Sequence, residues 1–279
     1  MDNFLDRDGF NFSGMIDTET EYIPLLSPEE EEQMTAEELP EVLPVLPLKN
    51  TVLFPGVVIP ITVNRDKSIK LIKEIYKKNK IVGVVSQKDD NVEDPGFDDL
   101  NEIGTVAYII KTLSMPDGST TAILQGKKRF KLESFVEYEP YLKARVSSFD
   151  KPIERKTDKN FKALIATIKD LAIQIVNKSP QIPSEAAFAI KNIESPVFLV
   201  NFISSNLNIE VPEKQKLLEI LDINTRAQTV LGYLTKELQV VELKNQIQSK
   251  VKVDIDKQQR DYILNQQLKT IQEELGGNP

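Results

Sequence analysis

The sequence has 279 residues, 40% of them apolar, with a net charge of −8, and it contains neither cysteine nor histidine. The composition therefore excludes disulfides, thiolate metal sites, a histidine general base and any Ser-His or Cys-His nucleophile. No run approaches the roughly 18 apolar residues of a membrane span, and residues 1–12 lack the basic start and apolar core of a signal peptide, so we expect a cytoplasmic protein that binds neither a metal nor a membrane.

Residues 1–41 form an acidic segment. It holds thirteen acidic residues and one basic residue, a charge of −12, and the remainder holds 34 basic and 30 acidic residues, a charge of +4. The segment has no sustained hydrophobic period, and its four consecutive glutamates at 29–32 repel one another, so we predict a disordered tail. The nearly neutral remainder argues against nucleic acid as the main partner, because nucleic-acid-binding domains usually carry a strong basic excess.

Residues 42–150 are predicted to form a β domain. Alternating or apolar runs bounded by turn residues indicate strands, and Pro116-Asp117-Gly118 indicates a hairpin turn. The predicted strands are 42–48, 57–63, 81–86, 104–115, 119–125, 129–136 and 141–149, with one helix at 66–79 and an acidic surface loop at 89–99. One helix among about six strands predicts a small, closed or half-closed β-barrel.

Residues 151–223 are predicted to form a helical bundle. Apolar residues recur three and four apart from Phe161 to Val176, which is typical of one long amphipathic helix. Ser195 followed by Pro196 predicts a helix start with a serine N-cap, and Pro212 predicts another. The fold class is therefore α+β, with the β domain first.

Residues 224–279 are predicted to form one very long, coiled-coil-like helix. A capping box begins at Thr225, and about 50 helical residues would extend roughly 75 Å. The apolar stripe of Leu264, Leu268, Ile271 and Leu275 is typical of a coiled-coil seam. Residues 251–255 alternate like a strand, which leaves open a break in the helix.

Three patterns resemble catalytic or binding motifs without fulfilling them. Seven residues separate Gly118 from Gly126, whereas a phosphate-binding loop has four between its glycines. Ser119 follows Asp117-Gly118, but no lysine base accompanies it, so a hairpin turn is the better interpretation. Basic residues from 127 to 131 fit a solvated strand face. We therefore identify no catalytic, cofactor-binding or metal-binding residue, and we expect the chain alone to be inactive.

Two segments resemble the Lon protease family: LPLKNTVLFPGVVIP at 46–60 and QRDYILNQQLKTIQEELG at 259–276. Departures from the family pattern are confined to Asn64, Asn265 and Thr270. The resemblance implies a PUA-like β-barrel, a helical bundle and a long helix that leads into an AAA+ module. It also implies a cytoplasmic homo-hexameric serine protease that uses ATP and magnesium, whose ATPase and Ser-Lys dyad lie outside this sequence.

We therefore hypothesise a region that recognises unfolded or degron-bearing proteins and assembles the hexamer of a protease that degrades misfolded and short-lived regulatory proteins. One alternative is a free-standing PUA-like protein that binds RNA or DNA. Another is an enzyme that uses the carboxylates of the acidic loop. The protease itself could also bind DNA weakly. Leu53 and Phe54, beside the turn at Pro55-Gly56, are candidate substrate contacts, and the alternative is that both plug the barrel. The stripe at 264–275 is the candidate assembly surface.

Overall fold

The structure is a computed structural model that describes residue 30 and residues 33–34, 37–150 and 158–276. The described chain contains six strands and six helices, and the predicted α+β class is confirmed. In chain order these are β1 Val42–Leu48, β2 Val58–Val63, α1 Asp66–Tyr76, β3 Ile81–Ser86, β4 Ile103–Ser114, β5 Thr120–Glu137, β6 Lys143–Ser148, α2 Lys159–Lys178, α3 Glu185–Asn192, α4 Pro196–Asn206, α5 Val211–Glu219 and α6 Ile223–Glu274.

The strands form a small barrel with one extra edge strand. The sheet order is β2-β5-β4-β3-β1-β6, and a further pairing of β5 with β6 closes a ring of five strands. β1 lies parallel to β3, and the other pairs are antiparallel. β5 is long enough to pair with β2 along its first half and with β6 along its second half.

β5 runs without interruption through Gly126, Lys127 and Lys128, where the sequence had predicted a gap between two strands. The register against β4 shifts here instead of ending, between Thr105 and Ala107. A Cβ at Gly126 would lie 2.3 Å from the Phe54 carbonyl oxygen, so only glycine allows this close approach. The glycine therefore marks a backbone contact and not a loop.

The helix starts at Ser195 and Pro212 are confirmed. The Ser195 hydroxyl accepts a hydrogen bond from the Phe198 N–H, with Pro196 in the first turn of α4. Pro212 lies in the first turn of α5. α4 is buried on almost every side at the centre of the bundle, and α2 packs along the start of α6.

The β-barrel and the helices share a hydrophobic core. The largest buried cluster combines Val52, Phe54, Val57 and Ile103 from the β domain with side chains from α2 to α6. A second cluster joins α1 to strands β1 to β5, and a third combines side chains from all five strands of the closed ring. Because the first cluster crosses the predicted boundary near residue 150, the two regions pack as one body there.

α6 is a continuous helix of 52 residues. Asp222 forms its N-cap by accepting a hydrogen bond from the Thr225 N–H at 2.8 Å, three residues before the predicted capping box. The helix continues through 251–255, where an alternating pattern had suggested a break, because a lone strand in water has no partner for its backbone groups. Among the described residues, no helix is both long and apolar enough to cross a membrane.

The end of the acidic segment contacts the β domain, although most of the predicted disordered tail lies outside the described residues. The Glu37 carboxylate pairs with Lys127 at 2.6 Å. Leu39 packs against the cluster formed by the five ring strands, and the Glu41 carbonyl accepts a hydrogen bond from the Val146 N–H at 3.0 Å. The boundary at residue 41 therefore needs correction, since residues 37–41 belong to the fold.

Deleting residues 1–29 is expected to leave the melting temperature unchanged. Deleting residues 1–41 is expected to lower the free energy of unfolding by about 1–3 kcal/mol, because it removes an ion pair, a backbone hydrogen bond and the packing of Leu39. Thermal denaturation of the two truncated chains measures the difference, and identical melting temperatures would contradict the contact described for residues 37–41.

Candidate functional site

The two residues predicted to contact substrate lie inside the protein. Leu53 is 2% exposed and Phe54 is fully buried. The Leu53 carbonyl accepts a hydrogen bond from the Thr105 hydroxyl at 2.6 Å, and Phe54 packs in the cluster shared by barrel and helices. The prediction of an exposed contact is therefore wrong for both residues in this structure. The alternative is right that both are buried, but Leu53 packs in the cluster that includes α1 and Phe54 against the helices, and neither belongs to the cluster of the five ring strands.

A buried arginine holds the barrel to the helical bundle. Arg129 on β5 is 5% exposed, and its Nε donates to the Asp150 carboxylate at 2.6 Å. Its Nη1 donates to the carbonyls of Leu218 and Ile220 at 2.7 and 2.8 Å, where α5 ends. A cation at a helix C-terminus is favourable because the free carbonyls are the negative end of the helix dipole. The predicted solvated face is therefore wrong for Arg129.

A second buried arginine extends this junction. Arg226, on the first turn of α6, donates to the Asn201 amide oxygen at 2.8 Å and also to the Ile220 carbonyl. The Asn201 amide in turn donates to the Pro55 carbonyl in the β domain at 3.2 Å. Burial, reinforced by the neighbouring charge of Arg129, lowers the pKa of Arg226 to about 9. Sequence patterns could not indicate this network, because its members come from five separated segments.

Three exposed apolar residues of the β domain lie on its longest hairpin, and Val42, Val136 and Tyr138 are exposed elsewhere in the domain. Ile110, Leu113 and Met115 lie on or directly after β4 and are between 36% and 45% exposed. Leu113 faces Thr121 across the hairpin, and the strand register shifts between Ile109 and Lys111, beside Ile110. We call Ile110, Leu113 and Met115 the hairpin patch. Its sequence signal was the apolar pair at 113 and 115 directly before the Pro-Asp-Gly turn.

The turn of this hairpin confirms the structural interpretation of Asp117-Gly118-Ser119. Gly118 has a φ of 87°, and the Met115 N–H donates to the Ser119 carbonyl at 2.9 Å. The Ser119 hydroxyl donates to the Asp117 carboxylate at 2.7 Å. That hydrogen bond is the main cause of the lowered pKa of Asp117. The serine hydroxyl is therefore engaged in holding the turn.

The candidate assembly stripe lies on the part of α6 that extends beyond the bundle. Leu264, Leu268 and Ile271 are each 55% exposed and Leu275 is 81% exposed. From residue 243 onwards, the described part of α6 has almost no buried side chain. Leu264, Leu268 and Ile271 share one face of α6 by helical spacing, and Leu275 directly follows the helix. No other described segment covers these four side chains.

Comparisons with known proteins agree on one family. Residues 42–236 match the family model for the ATP-dependent protease La (LON) substrate-binding domain. The chain is 58% identical over 261 residues to the Lon protease of Flavobacterium johnsoniae, covering 94% of this chain and 32% of that protein. It is 48% identical over 242 residues to the Lon protease of Parabacteroides distasonis, covering 87% and 29%.

Solved structures show the same fold. The N-terminal domain of the Mycobacterium avium complex Lon protease superposes with a TM-score of 0.58 at 19% identity, covering 70% of this chain and 98% of that chain. A Lon N-terminal domain protein from Xanthomonas campestris gives a TM-score of 0.51 at 17% identity, covering 68% and 97%. At these identities the likeness concerns the fold alone.

Proposed function

The chain belongs to the Lon protease family, of which it contains the substrate-binding domain, and from this premise we propose that it captures misfolded and short-lived regulatory proteins for degradation. The match of residues 42–236 to the substrate-binding family model carries this proposal. The chain spans about a third of the length of the curated relatives it matches. We propose that the whole protein is a cytoplasmic enzyme. Its remaining part would contain the ATPase, which uses ATP and magnesium, and the Ser-Lys dyad.

The hairpin patch is our candidate for the surface that meets the substrate. Unfolded proteins expose apolar side chains that folded proteins bury, and burial of apolar surface contributes about 25 cal/mol per Å². Ile110, Leu113 and Met115 are exposed on the hairpin of β4 and β5, and β2 pairs with the β5 arm of this hairpin. A small apolar patch of this kind supports weak binding to many sequences, as a quality-control protein requires.

The long helix is our candidate for hexamer assembly. An apolar stripe in water is unfavourable, and the first cluster of the core ends along the first turns of α6, well before the stripe at 264–275. Contact with another copy of the helix, or with an AAA+ module, would cover the stripe. Such contact would hold the substrate-binding end in register with the motor.

Nucleic-acid binding is less well supported. Lys127 pairs with Glu37, and Arg129 is buried against Asp150, so two of the four basic residues on this part of β5 are not free to meet phosphates. The charge of +4 over residues 42–279 is also small for a nucleic-acid-binding domain.

Replacing Ile110, Leu113 and Met115 together by serine is expected to weaken the binding of a permanently unfolded protein by about tenfold or more, because each residue loses apolar contact area. Fluorescence anisotropy with labelled, reduced and carboxymethylated α-lactalbumin measures the affinity. A control variant carries serine at the exposed Val240, Leu243 and Ile247 of α6. Equal binding by the hairpin variant and the parent chain, with unchanged melting temperatures, would contradict this assignment.

A further inference from the structure

β2 is an edge strand with a free side. It pairs with β5 alone and stands at the end of the sheet order among the described strands. The Val57 carbonyl accepts the Gly126 N–H at 2.9 Å, so alternation directs the backbone groups of residues 59, 61 and 63 towards β5 and those of 58, 60 and 62 away from it. Pro60 therefore falls where its missing N–H costs no bond to β5.

A groove of about 220 Å³ follows this free edge. One wall is the end of β1 with the residues after it, and the other is β2 with the first turn of α1. Leu48 and Ile61 give the groove an apolar part, and Thr62, Asn64 and Ser68 give it a polar part. The outward backbone offers N–H groups at 58 and 62 and carbonyls at 58, 60 and 62, which is what an added strand needs.

The polar end of the groove has unused hydrogen-bond donors. α1 has 11 residues, and no side chain of the described residues caps its N-terminus at Arg65. The N–H groups of its first turn therefore lack helical partners, at the positive end of the helix dipole. Ser68 is only 6% exposed and lines the groove, and its hydroxyl has no hydrogen-bond partner among the described residues. Asp66, the acidic residue of this turn, is exposed and does not line the groove.

The groove carries positive charge without a carboxylate in its wall. Arg65 donates to the Gln87 amide oxygen at 2.6 Å and to the Val92 carbonyl at 3.3 Å, both of which are uncharged. Within the described part of the chain, no carboxylate lies within ion-pair distance of this guanidinium. Lys49, at the other wall, pairs with Glu93 at 2.7 Å. The hydrogen bond and charge of Lys49, and to a smaller extent the charge of Arg65, lower the pKa of Glu93. One carboxylate therefore faces two cations, and the groove keeps a net positive charge that a negative group complements.

We propose that this groove binds an extended polypeptide segment as an added strand on β2, with a carboxylate of that segment at the first turn of α1. The carboxylate would accept hydrogen bonds from the Ser68 hydroxyl, the free N–H groups of the turn and Arg65. The inference rests on the proposed role in substrate binding, and it adds a preference for acidic extended segments to the general apolar contact of the hairpin patch.

The probe is a fluorescein-labelled peptide of about eight residues, alternating valine and threonine and ending in aspartates, with a control peptide that ends in asparagines and an amide. We expect the aspartate peptide to bind about tenfold more tightly than its control, because charge-assisted hydrogen bonds are the stronger ones. Arg65→Gln should remove most of this difference. Thr62→Pro should weaken the binding of both peptides, because it removes an outward N–H. Thr62→Val is the control: it loses the same hydroxyl contact with Thr121 but keeps the N–H, so it should bind both peptides like the parent chain.

Equal affinity of the parent chain for the two peptides, or unchanged binding by Thr62→Pro and Arg65→Gln with normal melting temperatures, would overturn the proposal. The assay with unfolded α-lactalbumin distinguishes a failure of the groove assignment from a failure of the proposed substrate-binding function. If these variants bind α-lactalbumin normally while the peptides do not bind the groove, the groove assignment fails and substrate binding stands. If neither ligand binds the parent chain, the proposed function itself fails.

Discussion

Replacing Arg129 by alanine is expected to lower the free energy of unfolding by about 3–5 kcal/mol, the scale for breaking a buried ion pair. The change removes the side-chain partner of Asp150 at 2.6 Å and leaves the Leu218 carbonyl without its donor. The Ile220 carbonyl loses one donor and keeps Arg226. These contacts tie β5 to the end of α5, so we expect the barrel and the bundle to lose their shared packing together. Urea denaturation of the variant measures the loss.

Lys131 provides the matched control for this prediction. It lies two residues along the same strand, its side chain is 43% exposed, and it approaches Glu102 at 3.8 Å. Its replacement by alanine should cost about 0–1 kcal/mol, as exposed pairs usually do. A loss below about 1 kcal/mol for the Arg129 variant, similar to that of the control, would mean that the junction contributes little to stability.

Changing Leu268 and Ile271 to lysine is expected to abolish self-association of the chain. The parent chain should associate with increasing concentration, because the stripe at 264–275 is covered only when a second helix packs against it. The variant places two charges in that contact and should remain monomeric with its β domain folded. Sedimentation velocity over a range of concentrations measures both chains.

A control variant carries lysine at Gln266 and Thr270, which lie on the opposite side of α6 by helical spacing. It adds the same charge without entering the stripe, so it should associate like the parent chain. A parent chain that remains strictly monomeric at high concentration would rule out the stripe as a self-association surface. Equal dissociation of both variants would point to net charge as the cause.

The strands and helices could largely be predicted from the sequence because their signals are local. The period of two in the β domain, the Pro-Asp-Gly turn and the serine cap at Ser195 act within a few residues. The prediction of secondary structure failed where a contact with a residue distant in sequence determines the local conformation. Gly126 suggested a loop, yet the strand continues because the chain at Phe54 approaches its backbone.

The candidate sites were harder to predict because burial depends on residues far apart in sequence. Arg129 in a basic strand suggested a solvated face, and only the fold brings Asp150 and the end of α5 to its side chain. Leu53 and Phe54 beside a turn suggested a surface, but Leu53 is buried in the cluster that includes α1 and Phe54 in the cluster shared by barrel and bundle. The groove beside β2 depends on the edge position of that strand, which the strand order decides.

Hydrogen exchange with and without bound, permanently unfolded α-lactalbumin tests the central claim most directly, because it reports where on the chain the polypeptide binds. We predict that binding slows exchange in the hairpin around residues 110–121 and along the free edge of β2, and leaves α6 beyond residue 243 unchanged. Saturable binding with protection confined to α6, or no binding at all to the folded chain, would contradict the account of this region as a substrate-binding module centred on its β-barrel.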